Sequence, residues 1–264
     1  DTCKVVFTKL DKPFFTFPTV ASNCAACTAI AVIYNSDGTF KEYFYPKCPS
    51  YHTFINTRII ADSPDSLLWA GIGDALSKEY EVLFATRAEE LFHTTLLGAQ
   101  LSKACTAPLI DFGAKALEDC KANKASYELE QVALDIIIST GIVSNLTSGG
   151  EKYYYNSSLG HAFYYGSTVI PKAEKHLHGE VVSFGVLCLL TYDNQLEERE
   201  RIMKFHKTIG LPTCLADMEI TEEDIPAIVE KASTVREWTC VPYATDKDKF
   251  AKAILETDKV GKTF

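Results

Sequence analysis

The sequence predicts an α/β N-terminal portion followed by an all-helical C-terminal domain. Three observations carry this reading. Short aromatic and β-branched runs bounded by turn residues are confined to the stretch before Pro64, and apolar residues at helical spacing take over after it. The length, 264 residues with 47% hydrophobic and 23% charged, suits one or two packed cores of a globular protein.

The strand-like runs are Pro13 to Phe17, Ala29 to Tyr34, Phe40 to Phe44 and Thr53 to Ile55. Asn35-Ser36-Asp37-Gly38 joins the second and third as a hairpin. Ser63-Pro64 is the one boundary, which gives domains 1–63 and 64–264. Helical spacing then runs over Leu67 to Phe92, Phe112 to Lys121, Glu130 to Ile142, Glu180 to Tyr192, Leu196 to Ile209, Ile225 to Ala232 and Phe250 to Glu256. Thr221 with Asp224, and Thr245 with Asp248, have the spacing of N-caps with an acidic partner three residues on.

Charge and composition narrow the function classes. Lys and Arg total 26 against 35 Asp and Glu, a net charge of -9, with no basic run interleaved with aromatics. Nucleic acid and anionic membrane surfaces are therefore excluded as partners. The longest apolar stretches, such as Val181 to Leu190, are too short to cross a bilayer. Nine cysteines at irregular spacing give no disulfide framework, and a cytoplasmic, reducing setting fits them. Cys24-Ala25-Ala26-Cys27 has the spacing of a redox or zinc pair, but it lacks a second pair and the surroundings of a thioredoxin fold.

The densest chemical constellation is Gly160-His161-Ala162 with, seventeen residues later, His178-Gly179-Glu180. Pro171 interrupts any single helix between them, so the imidazoles converge only if the chain folds back. Asp74 follows two glycines in the apolar stretch Ala70-Gly71-Ile72-Gly73. It reads either as a third metal ligand or as an acid paired with Lys78 one turn on. One Asp and two His suit a divalent ion with an open coordination position, which polarises an alcohol or carbonyl oxygen. No nucleophile, general-base pair or phosphate loop accompanies them, and this points toward hydride transfer with a nicotinamide. Tyr153, Tyr154, Tyr155, Tyr164 and Tyr165 either shape a pocket or fill core positions.

Five motifs in order resemble one family. They are Pro18-Thr19-Val20-Ala21-Ser22, Ala29-Ile30-Ala31-Val32-Ile33-Tyr34, Gly71-Ile72-Gly73-Asp74-Ala75, Gly160-His161-Ala162 and His178-Gly179-Glu180-Val181-Val182-Ser183-Phe184-Gly185. Together they resemble the glycerol dehydrogenase-like branch of the iron-containing alcohol dehydrogenase superfamily, over essentially the whole chain. The resemblance implies a dehydroquinate synthase-like architecture, with part of a dinucleotide-binding domain before the helical domain and the active site in the cleft between them. It also implies that Asp74, His161 and His178 are the metal ligands and catalytic centre, holding Zn2+ or another divalent ion such as Fe2+ or Ni2+. Thr19, Ser22, Thr28, Ile30 and Tyr34 fall on positions that line NAD or NADP. A small-molecule substrate and assembly as a homo-oligomer follow from the same likeness.

Two departures refine the expectation. Cys24 stands where the glycerol dehydrogenases carry an Asp that holds the polyol, and a thiol neither replaces that acceptor nor repels a carboxylate. Cys24 and Lys78 together look like the hydroxycarboxylate dehydrogenase subgroup, so a 2-hydroxy acid or 2-oxo acid is the expected substrate, ahead of glycerol or another small polyol. Secondly, the family's glycine-rich phosphate loop precedes the position of Asp1-Thr2, so the chain is expected to be part of a longer polypeptide. The alternative of another class is a non-catalytic structural or interaction subunit.

Overall fold

A helix, α1 (Thr2–Leu10), opens the chain where the sequence offered no element, and it closes on Asp11 in the left-handed conformation. The computed structural model describes residues 1–34, 36, 40–150, 152–242 and 244–264, apart from the side chains of Tyr34 and Phe40. Among the described residues four short strands follow: β1 (Phe15–Thr16), β2 (Ala31–Tyr34), β3 (Phe40–Phe44) and β4 (His52–Thr53). β1 and β4 pair in parallel, Phe15 opposite His52. β2 and β3 pair antiparallel as the hairpin pattern predicts, Ala31 opposite Phe44 and Val32 opposite Tyr43. Apart from Ser36, the turn Asn35 to Gly38 lies outside the described residues.

From Thr57 every named element is helical: α2 (Thr57–Ala61), α3 (Asp65–Ala75), α4 (Ser77–Thr86), α5 (His93–Ser102), α6 (Ala107–Lys121), α7 (Tyr127–Leu134) and α8 (Thr140–Thr147). Next come α9 (Leu159–Ser167), α10 (His178–Tyr192), α11 (Leu196–Ile209), α12 (Ile225–Ala232), α13 (Arg236–Thr239) and α14 (Lys247–Gly261). The expected single helix Leu67 to Phe92 is two, divided at Leu76 and ending at Thr86. The segment Glu130 to Ile142 contains a π turn, Asp135–Ser139, between α7 and α8. That composite run, Tyr127–Thr147, is the longest apolar helix among the described residues and would suffice by length to span a bilayer, but more than half of its most apolar window is buried in the protein. α5 and α9 were not visible in the spacing.

α10 is the hub. Thirteen of its fifteen residues are buried, so it is apolar on all sides and surrounded by other helices, chiefly α9, α3 and α14. Phe184, Leu187, Leu189 and Leu190 join Phe163, Ile72 and Phe250 in one continuous core, which also includes Ile60 and Ala61 of α2. Glu180 secures the start of this helix: it accepts a hydrogen bond from the Leu177 backbone N–H at 3.0 Å and another contact from His176 Nδ1 at 2.8 Å. Thr221 and Asp224 make the expected bonds, at 2.9 and 3.0 Å. At α14 the cap is Asp246, which accepts from Lys249 N–H, and not Thr245.

Candidate metal centre

Three helix ends meet at one point. Asp74 lies on the last turn of α3, His161 near the start of α9, and His178 is the first residue of α10. Pro171 falls in a short 3-10 turn, Pro171–Lys175, that reverses the chain between the two histidines. Backbone contact brings the ends close: a Cβ added to Gly73 would stand 2.4 Å from the Gly179 carbonyl oxygen. Only glycine permits that spacing between α3 and α10.

Asp74 Oδ1 is 3.5 Å from His161 Nε2 and 3.2 Å from His178 Nε2. One donor atom from each of the three residues lies within 4.8 Å of the others. Asp74 Oδ1 is buried and meets no donor in hydrogen-bonding geometry. A carboxylate oxygen and two imidazole nitrogens turned on one point, without the hydrogen bonds that would account for the arrangement, fit a shared cation. Burial pushes the Asp74 carboxyl up, but the two imidazoles of His161 and His178 beside it outweigh this and hold the group well below the usual carboxylate range.

Behind His161 stands Glu81 of α4, fully buried. Its Oε2 is 2.6 Å from His161 Nδ1, and its Oε1 accepts from the backbone N–H groups of Ser158 and His161, each at 2.8 Å. Burial lowers the His161 pKa, yet the Glu81 carboxylate, with Asp74, overcomes this and raises it to about 10. Tyr164 packs edge-on against the His178 ring at 4.2 Å between centroids. Nothing in the spacing pointed to Glu81 except its place in an apolar run beside Val82, Leu83 and Phe84.

The three residues line a cavity of about 450 Å³, within the range of small-ligand sites. Of the expected cofactor positions, Ser22, Thr28 and Ile30 line it, whereas Thr19 is exposed and does not. Tyr34 ends β2, and its side chain lies outside the described residues. Cys24 is on the cavity wall. Cys27 is not; its thiol donates to the Ile137 carbonyl, and burial pushes it up to about 12, the state of an inert buried thiol. All nine cysteines are free.

Lys78 departs from its expected place beside the substrate. It is not on the cavity wall, and its ammonium donates to Asn156 Oδ1 at 2.6 Å and to the Asn156 carbonyl at 3.3 Å. Asn156 is what reaches the cavity, and among the described residues no ion pair joins Lys78 to Asp74. A cation absent from the sequence reading, Lys4 of α1, is buried instead and donates to Thr28 Oγ1 at 3.0 Å and the Ile30 carbonyl at 2.6 Å. Burial lowers its pKa to about 8.

No protein-family model matches the chain. It is similar to glycerol dehydrogenase of Thermotoga maritima, with 33% identity over 88% of this chain and 64% of that protein. Glycerol dehydrogenase of Escherichia coli strain CFT073 is 32% identical over 100% of this chain and 72% of its own length. Hydroxycarboxylate dehydrogenase A of Escherichia coli K12 is 32% identical over 83% of the chain and 60% of that enzyme. The crystal structure of a probable glycerol dehydrogenase from Sinorhizobium meliloti superimposes with a TM-score of 0.87, at 27% identity, over 100% of this chain and 74% of that one. The chain thus spans between 60% and 74% of the length of these proteins.

Proposed function

The chain belongs to the glycerol dehydrogenase-like branch of the iron-containing alcohol dehydrogenase superfamily, and from that premise we propose that it carries the metal-binding half of an NAD(P)-linked dehydrogenase acting on a small alcohol and its carbonyl. The observation that supports this most is the meeting of Asp74 Oδ1 with the Nε2 atoms of His161 and His178 at the wall of one cavity. These three atoms would hold a divalent ion, for which two imidazoles and one carboxylate suit zinc. Bound there, such an ion would supply Lewis-acid polarisation of a substrate hydroxyl or carbonyl oxygen for hydride transfer with a nicotinamide.

The chain's own residues supply orientation. Glu81 holds the His161 proton at Nδ1 and leaves Nε2 turned to Asp74. Tyr164 and the Leu177–Glu180 cap fix the His178 ring at the start of α10. Ser22, Thr28 and Ile30 form the part of the wall that would face the nicotinamide, and Lys4 braces Thr28 and Ile30 from behind.

For the substrate, glycerol or another small polyol is favoured over a 2-hydroxy acid. Lys78 is engaged by Asn156, and among the described residues no Lys or Arg lines the cavity to receive a carboxylate. The 2-hydroxy acid reading retains one supporting observation, the thiol of Cys24 on the wall. The nine free thiols favour a cytoplasmic setting.

The test is metal content by mass spectrometry after dialysis against zinc, beside NAD-linked turnover of glycerol. His161→Ala and His178→Ala should each lose both the bound zinc and the turnover. A His178→Ala protein that keeps its turnover with no metal bound would remove the assignment.

A further inference from the structure

Glu237 has a setting that the metal centre does not explain. It lies on α13, is 2% exposed, and lines the same cavity as Asp74, His161 and His178. Its Oε1 accepts from the Tyr43 hydroxyl at 3.0 Å and from the Tyr154 hydroxyl at 3.3 Å. Tyr43 also meets the Tyr165 hydroxyl at 3.1 Å, and Tyr154 meets the Ser157 hydroxyl at 2.6 Å. A buried carboxylate is costly unless it is hydrogen-bonded, and here aromatic hydroxyls from β3 and from the loop before α9 supply the bonds.

Arg236, the neighbouring cation, is directed elsewhere. Its guanidinium lies 4.1 Å over the Tyr154 ring and donates to the Tyr45 hydroxyl and the Gly150 carbonyl. The ionisable side chains on the cavity wall are therefore Asp1, Cys24, Asp74, Glu237, the two histidines and the tyrosines, with no Lys or Arg among the described residues. With Asp74 turned to the histidines and Asp1 engaged by the Lys4 ammonium and the Val32 backbone N–H, Glu237 is the carboxylate left to the remainder of a substrate in a cavity of about 450 Å³.

Resting on the dehydrogenase reading above, we infer that Glu237 is a specificity-determining residue: its carboxylate accepts a hydrogen bond from a substrate hydroxyl away from the reacting carbon and disfavours any substrate that carries a carboxylate. An acceptor-only group rewards a hydroxyl, and two like charges in a desolvated site repel each other strongly.

The experiment uses the full chain loaded with cobalt(II), whose visible absorption responds to ligands at the metal. Glycerol and lactate are titrated against the wild type and Glu237→Gln, with cobalt content measured in each. The variant should hold one cobalt per chain and shift the ratio of the two dissociation constants toward lactate by at least about tenfold. Tyr43→Phe keeps the charge but removes one bond that holds it, so it should move the ratio the same way by about two- to fivefold and guards against a misfolded Glu237→Gln. A ratio within about twofold of the wild type in both variants, or a spectrum that neither ligand changes, overturns the inference. A wild type that takes up no cobalt is a different result: it overturns the metal centre itself, and the inference with it.

Discussion

Glu81 Oε2 lies 2.6 Å from His161 Nδ1, while its other oxygen accepts the Ser158 and His161 backbone N–H groups at the start of α9. One buried carboxylate thus ties the helix end and the ring orientation to α4. Outer partners of metal-bound histidines typically govern affinity by 10- to 100-fold, so Glu81→Gln should weaken zinc binding by roughly that factor. Competition against a chromophoric chelator measures it, with circular dichroism to show that the helices persist. An affinity within about threefold of the wild type would mean that the bond does not orient the ring.

A second prediction concerns the crossing of α3 and α10. A Cβ at Gly179 would stand 1.8 Å from the Ala70 carbonyl oxygen, a contact that the backbone must move to relieve. Overpacking of this kind costs about 1–3 kcal/mol or more, so Gly179→Ala should lower the melting temperature and also separate Asp74 from His178. The expected result is a folded, destabilised protein with much less bound zinc. Full zinc occupancy at wild-type stability would show that the two helices have room to part.

These two cases show what the sequence made legible. Glycines beside Asp74, His161 and His178 are local signals, because each marks a close approach that its own helix must make, and the fold class follows from apolar spacing in the same way. Glu81, Lys4 and Glu237 left no such mark. Each is buried only because its partners arrive from elsewhere: Glu81 meets His161 80 positions away, and Glu237 meets Tyr43 194 positions away. Lys78 differs in the opposite sense. Its spacing from Asp74 is right for one helix, but the helix breaks at Leu76 and the side chain follows α4 to Asn156.

A third prediction is a pH dependence. Asp135 opens the π turn and is 2% exposed; neither oxygen meets a donor in hydrogen-bonding geometry. Burial pushes its pKa up to about 7, with Ser139 pulling weakly the other way. A carboxyl with a raised folded pKa holds its proton more tightly when folded, so its contribution is most favourable below about pH 4 and is lost as pH rises through about 7. By pH 8 the cost reaches about 4 kcal/mol. Asp135→Asn should therefore be more stable than the wild type at pH 8 in urea unfolding, with the gap closing by about pH 4. A gap that does not change with pH would place the cause elsewhere.

The last prediction separates the two substrate readings through Lys78. If its ammonium received a substrate carboxylate, removing it would cost lactate binding at least about tenfold and leave glycerol untouched. In the structure that ammonium is buried and donates to Asn156, which lines the cavity where Lys78 does not. Lys78→Met, similar in length and apolar, should therefore act on stability: two partly buried bonds to Asn156 are lost, at about 1–3 kcal/mol, and the melting temperature falls. The ratio of glycerol to lactate dissociation constants, read in the cobalt-loaded protein, should stay within about twofold of the wild type. A selective loss of lactate binding would restore Lys78 to the substrate site and, with Cys24, the 2-hydroxy acid as the substrate.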